Sequence, residues 1–293
     1  MTNIISLNLS NFDTKNVKNM SHLFSFSPSL RNIDLSNFNT SNVLDMSCMF
    51  QQCSSLISLN LLNFDTNKVT NMIFMFNLCE SLISLNLSNF NTENVIDLSK
   101  MFSKCTSMKK LDISNFKTNN ALDLTEMFYM CSSLEELNVS NFDTRKVSKM
   151  GGMFAFCTTL TSLNVSNFDT SQVIEMNHMF CAMHSIYNID LSHFNTSNVN
   201  SMKFMFTNSK SLTSINLSNF NTSKISNYMS MFQWCEELKE LNLTSFNFLN
   251  GEIFDNMLNI KKNLTILLND NAKNNKKFIE SIPENIIIKY ISN

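Results

Sequence analysis

Residues 81–105, SLISLNLSNFNTENVIDLSKMFSKC, decide the fold, because the rest of the chain repeats them. Asn-Phe recurs at Phe12, Phe38, Phe64, Phe90, Phe116, Phe142, Phe168 and Phe220, with His193-Phe194 and Ser245-Phe246 in the same register. Each step is 26 residues, without insertion or deletion. A fixed period of this size is the signature of a solenoid, in which each unit buries its apolar face only against its neighbours.

Outward from that stretch, the aligned positions fall into columns. Leu56, Leu82, Met108 and Leu134 open their units, Leu59, Leu85, Leu111 and Leu137 follow three residues later, and Leu61, Leu87, Ile113 and Val139 two further on. This is L-x-x-L-x-L, and its last two apolar positions alternate with period two. The pattern predicts a short strand with one face in a core. After Asn-Phe comes D/N-T, then V-x-x-M-x-x-M-F, as at Val43, Met46, Met49 and Phe50. Apolar spacing of three and four predicts a short helix with one buried stripe, and the preceding Thr reads as its N-cap. The expected class is therefore α/β: a parallel sheet on one face, short helices on the other, in about ten 26-residue repeats.

These motifs, with a Cys closing the unit, resemble the BspA-like leucine-rich repeat proteins, in the subgroup typified by mycoplasma surface lipoproteins. The resemblance covers roughly residues 4–243. It implies a leucine-rich-repeat solenoid on a cell surface or secreted, with adhesion or binding of a host protein. The chain departs from the family in two ways. Its start, MTNIISLNLSNFDT, has neither the basic nor the apolar region of an export signal, which implies the cytoplasm if the chain is complete. The Gly often found before the repeat Cys is replaced by Gln52, Leu78, Lys104, Met130 and Phe156.

Past Phe246 the pattern decays. Met257 and Leu258 still align with Met231 and Phe232. Phe278, Ile279 and Ile282 predict a short helix, and residues 285–292 a last strand. We divide the chain into a solenoid at 1–245 and, at 246–293, a degenerate eleventh repeat with a C-terminal cap. At the other end, Ile4, Leu7 and Leu9 already stand in strand register, so the first rung is expected to expose apolar groups and unpaired amides.

Composition excludes more than it assigns. The 293 residues carry a formal net charge of −2, which gives no bulk attraction for nucleic acid or an anionic membrane. No apolar run reaches the ~20 residues of a membrane helix, so no insertion is expected. Cys53, Cys79, Cys105, Cys131, Cys157 and Cys235 share one column, expected to be a ladder of buried thiols. Cys48 and Cys181 fall in variable columns and are expected to be exposed. His22, His178, His184 and His193 form no catalytic or metal-ligating set. No nucleophile triad or phosphate loop is visible. We therefore expect no enzyme activity, cofactor or metal. The Asn before each Phe is expected to turn inward and bond to loop backbones of adjacent units.

The strand's outward columns are the candidate site. Asp34, Asn60, Asn86, Asp112, Asn138, Asn164 and Asp190 stand in one, and Lys110, Glu136 and Glu240 in the next. Apart from these few charges the face is a field of amides and hydroxyls, in which Asn-Asn and Ser-Ser cross-strand hydrogen bonds are expected. Its charged middle, Lys110 to Glu136, is the expected specificity patch for a protein or glycan ligand. The leading reading is a non-enzymatic adhesion-type scaffold. The alternative is a structural array that self-associates through its N-terminal repeat.

Overall fold

The computed structural model describes residues 4–292. The chain is a parallel β-solenoid in which each 26-residue step stacks on the one before. Strands in the L-x-x-L-x-L segment are three residues long: β1 (Ser84–Asn86) pairs in parallel with β2 (Lys110–Asp112), and β3 (Ser214–Asn216) with β4 (Glu240–Asn242). The centre of each strand is buried and its flanks face out, apart from a half-buried Asn242, as period-two alternation requires. A second ladder of single parallel bridges runs on the opposite flank, from Asn19 through Asp45, Asn71, Asp97, Asp123, Lys149 and Glu175 to Ser201.

The V-x-x-M-x-x-M-F segments are not helices, and this overturns the α/β expectation. Consecutive tight turns replace them. From Met46 to Cys53 every backbone N–H has a partner. The amides of Met46, Cys48, Phe50 and Gln52 donate to Asn71, Ile73, Met75 and Asn77 of the next rung. Those of Met49, Gln51 and Cys53 close four-residue turns on Met46, Cys48 and Phe50, and that of Ser47 bonds to Asp45 Oδ1. Two residues per rung take positive φ, for example Cys48 (55°) and Gln52 (60°). This is the value a type II turn puts at its third position.

The same apolar residues point inward in either conformation, so periodicity could not separate helix from turns. Stacking decides it. Phe24, Phe50, Phe76, Phe102, Phe128, Phe154, Phe180, Phe206 and Phe232 form one continuous column with ring centroids 5.5–6.0 Å apart. Packed helices need about 8–10 Å between axes, so one helix per rung would pry this column apart. Turns keep the rungs close enough for backbone bonds between them, and a helix of about eight residues has little stability of its own.

The Thr predicted as an N-cap instead ties rungs together. Thr92 is fully buried; its hydroxyl donates to the Lys117 carbonyl at 2.9 Å and accepts from the Lys117 amide at 2.8 Å. Thr14, Thr40, Thr66 and Thr170 make the same double contact. The Asn column bonds as expected: Asn115 Nδ2 donates to the Leu87 and Phe90 carbonyls of the preceding rung at 2.9 and 2.6 Å. It runs along the flank, half-buried or exposed, and not inside the core. His193 Nε2 (2.8 Å from the Val165 carbonyl) and Ser245 Oγ (2.9 Å from that of Leu217) take the place of Asn in their rungs.

The thiol column is buried, each Sγ donating to a Phe carbonyl of the rung before, as Cys105 does to Phe76 at 3.2 Å. Ser209 does the same to Phe180. Burial pushes the Cys157 and Cys235 thiols up to about 12, so these groups stay protonated and inert. Cys48 and Cys181 are also buried, 7 % and 5 % exposed, against expectation. Their positions lie between rungs on the turn flank, where stacking covers small side chains.

At the C-terminal end the sheet continues β3-β4-β5-β6, all parallel, through β5 (Leu264–Asn269) and β6 (Ile286–Ile291). Helix α1 (Lys276–Ser281) crosses between them, at the place the Phe278 and Ile282 spacing predicts. Phe278 stacks on Phe248 at 3.9 Å and meets Phe254 at 5.2 Å, extending the aromatic core into this segment. At the other end Ile5 and Phe12 are exposed, whereas Phe38 in the next rung is buried.

Candidate functional site

The strand face presents the ten residues singled out by sequence, all exposed. Parallel pairing brings five of them together: Asn86 lies beside Asp112, and Lys110 beside Glu136, with Asn138 two residues on. Asp34 and Glu240 are eight repeats apart, about 40 Å at the usual inter-strand spacing, and share no local site.

The expected cross-strand amide bonds are replaced by bonds within each strand. Oδ1 of Asp34, Asn60, Asn86, Asp112, Asn138, Asn164 and Asp190 accepts from the backbone N–H two residues on, at 2.9–3.2 Å. These are Asx turns, and they explain why only Asn and Asp occupy the column. The same bonds hold the carboxyls of Asp34, Asp112 and Asp190 below the ordinary carboxylate range. Lys110, Glu136 and Glu240 take no part in these turns, so their heads are free of a structural duty.

The turn flank carries a site that the sequence reading did not single out. A depression of about 600 Å3 opens above Gly151 and Gly152. Cys181, Tyr129 and Phe156 line it; the two rings meet each other edge to face at 5.5 Å and pack on the buried Ala155, Cys181 and Ala182. Glu126 leans into the space above Gly152: a Cβ there would meet its Cγ at 3.0 Å. On the far side His178 stacks on Phe204 at 4.6 Å. The covered imidazole is desolvated, which lowers its pKa and keeps it neutral at pH 7. Glu126 pairs with Lys100 at 3.6 Å, while Lys104 and Glu175 also line the depression. The signal in the sequence was Gly-Gly: two of only three glycines stand together in a turn column that other repeats fill with side chains.

Among the described residues, no group of three or more His, Cys, Asp and Glu is placed to hold a metal ion, and no helix is long and apolar enough to cross a membrane.

The family described as "Mycoplasma protein of unknown function, DUF285" matches residues 1–111, 56–164 and 153–271. The chain belongs to this family. Its three overlapping matches follow the repeat, each spanning roughly four units. No curated protein matches the chain. Among solved structures, a chain from the crystal structure of the TLR13–ssRNA13 complex is similar to this one, at 18 % identity and a TM-score of 0.33. The similarity covers 88 % of this chain and 38 % of that one.

Proposed function

We propose that this DUF285 chain is a non-enzymatic scaffold that binds a protein partner across its strand face. One observation carries the reading: the outward Asn and Asp side chains are already held in Asx turns. A surface of ordered amides and hydroxyls loses little side-chain entropy when a partner covers it, and that loss is a main cost of association. The unengaged heads of Lys110 and Glu136, beside Asp112, then give the centre of the face its charge pattern and select the partner. The resemblance to BspA-like leucine-rich repeats supports the same role, with adhesion as its setting. The buried, protonated thiols supply no nucleophile, which agrees with a binding role.

The test is capture with an immobilised chain, comparing wild type with the triple variant Lys110→Ala, Asp112→Asn, Glu136→Gln. Asp112→Asn keeps the Asx turn, so the fold is preserved. A proteinaceous partner retained by wild type and lost by the triple variant supports the reading. Equal retention by both overturns it, as does a partner that survives protease digestion and is lost on removal of glycans.

A further inference from the structure

We propose that the depression above Gly151 and Gly152 is a second, separate binding site, for a short neutral saccharide. Its size falls within the roughly 300–1,000 Å3 of small-molecule sites. Its composition narrows the ligand. The half-buried aromatic rings of Tyr129 and Phe156 line the depression, offering a surface to an apolar ring face. Around that surface stand hydrogen-bonding groups of both kinds: the carboxylates of Glu126 and Glu175 accept, the Lys104 ammonium donates, and His178 does one or the other according to its tautomer.

Charge excludes the alternatives. An organic cation would find aromatic rings and Glu175, but it would also face Lys104, with the second carboxylate already paired to Lys100. A phosphate or carboxylate ligand would face Glu126 and Glu175. One free acid and one free base leave the site neutral in sum. A sugar ring matches this arrangement, with its C–H face on the rings and its hydroxyls toward both donors and acceptors.

The site is built by omission. Residues equivalent to Gly152 in other repeats, such as Phe74 and Lys100, carry side chains at the same positive φ (58° and 56°). Glycine at 152 is therefore not required by the backbone. What its missing side chain leaves is room, which Glu126 partly enters. A larger residue at 152, which lines the depression, would fill it.

Titration calorimetry with glucose-, galactose- and N-acetylglucosamine-based trisaccharides tests the proposal, using the intact chain. At least one is expected to bind, and Phe156→Ala or Tyr129→Ala to weaken it about tenfold or more through loss of the stacking surface. Gly152→Asn, which accepts positive φ, should abolish binding by filling the space while leaving the melting temperature near that of wild type. A second arm adds a glycoprotein before and after deglycosylation: loss of binding on deglycosylation identifies attached glycan as the source, and equal binding of the free trisaccharide identifies free sugar. The proposal is overturned if no trisaccharide binds, if Gly152→Asn binds as wild type does, or if tetramethylammonium or inorganic phosphate competes fully. The strand-face triple variant should bind the sugar unchanged, so failure of one site is separable from failure of the other.

Discussion

Along the strand flank the column Asn60, Asn86, Asp112, Asn138 holds two residue types; along the turn flank the column Phe74, Lys100, Glu126, Gly152, His178 holds five. The backbone explains the contrast. On the strand flank the amide two residues after each Asn or Asp has its partner in that side chain, so the side chain is constrained by the fold. On the turn flank the amides of Phe74, Lys100, Glu126, Gly152 and His178 bond to carbonyls of the next rung. The side chains of this column owe the backbone nothing and can vary. Uniformity on one face and a local groove on the other thus have one cause: which flank supplies its own hydrogen-bond partners from backbone.

Five substitutions probe this contrast. The largest effect belongs to the turn-flank core. Phe102→Ala removes a fully buried ring from the aromatic column and should cost about 3–5 kcal/mol in urea denaturation. A cost under about 1 kcal/mol would show that the rungs are not held by this column.

Next comes Thr92→Val, which keeps the shape but strands the Lys117 amide and carbonyl. Leaving these part-buried groups unpaired should cost about 1 kcal/mol. Slow hydrogen exchange of the Lys117 amide in wild type, lost in the variant, checks the assignment directly.

On the strand flank, Asn86→Ala removes one exposed Asx turn and should cost about 0.5–1.5 kcal/mol. Its acidic counterpart adds a pH signature. The folded-state pKa of Asp112 is lowered, so its contribution is present above the ordinary carboxylate pKa and fades as pH falls through the folded value. Asp112→Asn keeps the turn and loses that dependence. The stability gap between wild type and variant should therefore shrink on acidification below about pH 4, and a gap that widens there would contradict the Asx assignment.

The smallest effect returns to the turn flank. Gln52 holds φ at 60°, in the left-handed region that favours Gly. Gln52→Gly relieves about 1–2 kcal/mol of left-handed strain but adds about 0.5–1 kcal/mol of unfolded-state entropy, so thermal melting should rise slightly. A fall would mean that the Gln52 side chain contributes more than its backbone costs.

Much of this molecule is legible in its sequence. The 26-residue period dictates a stack, the Leu, Met, Phe and Cys columns name its core, and Asn before Phe names a ladder along it. Those conclusions follow because a repeated column can only face its own copies, so one apolar type recurring in register must be buried. Tertiary structure decided the rest. Whether V-x-x-M-x-x-M-F forms helix or turns depends on the distance to the next rung, which Phe rings 5.5–6.0 Å apart set and no single repeat encodes. Cys48 and Cys181 are covered because neighbouring rungs close over them. The groove depends on Tyr129, Gly152 and His178 from three successive rungs meeting at one place. Period and composition speak of each repeat alone, whereas sites arise from differences between repeats brought into contact.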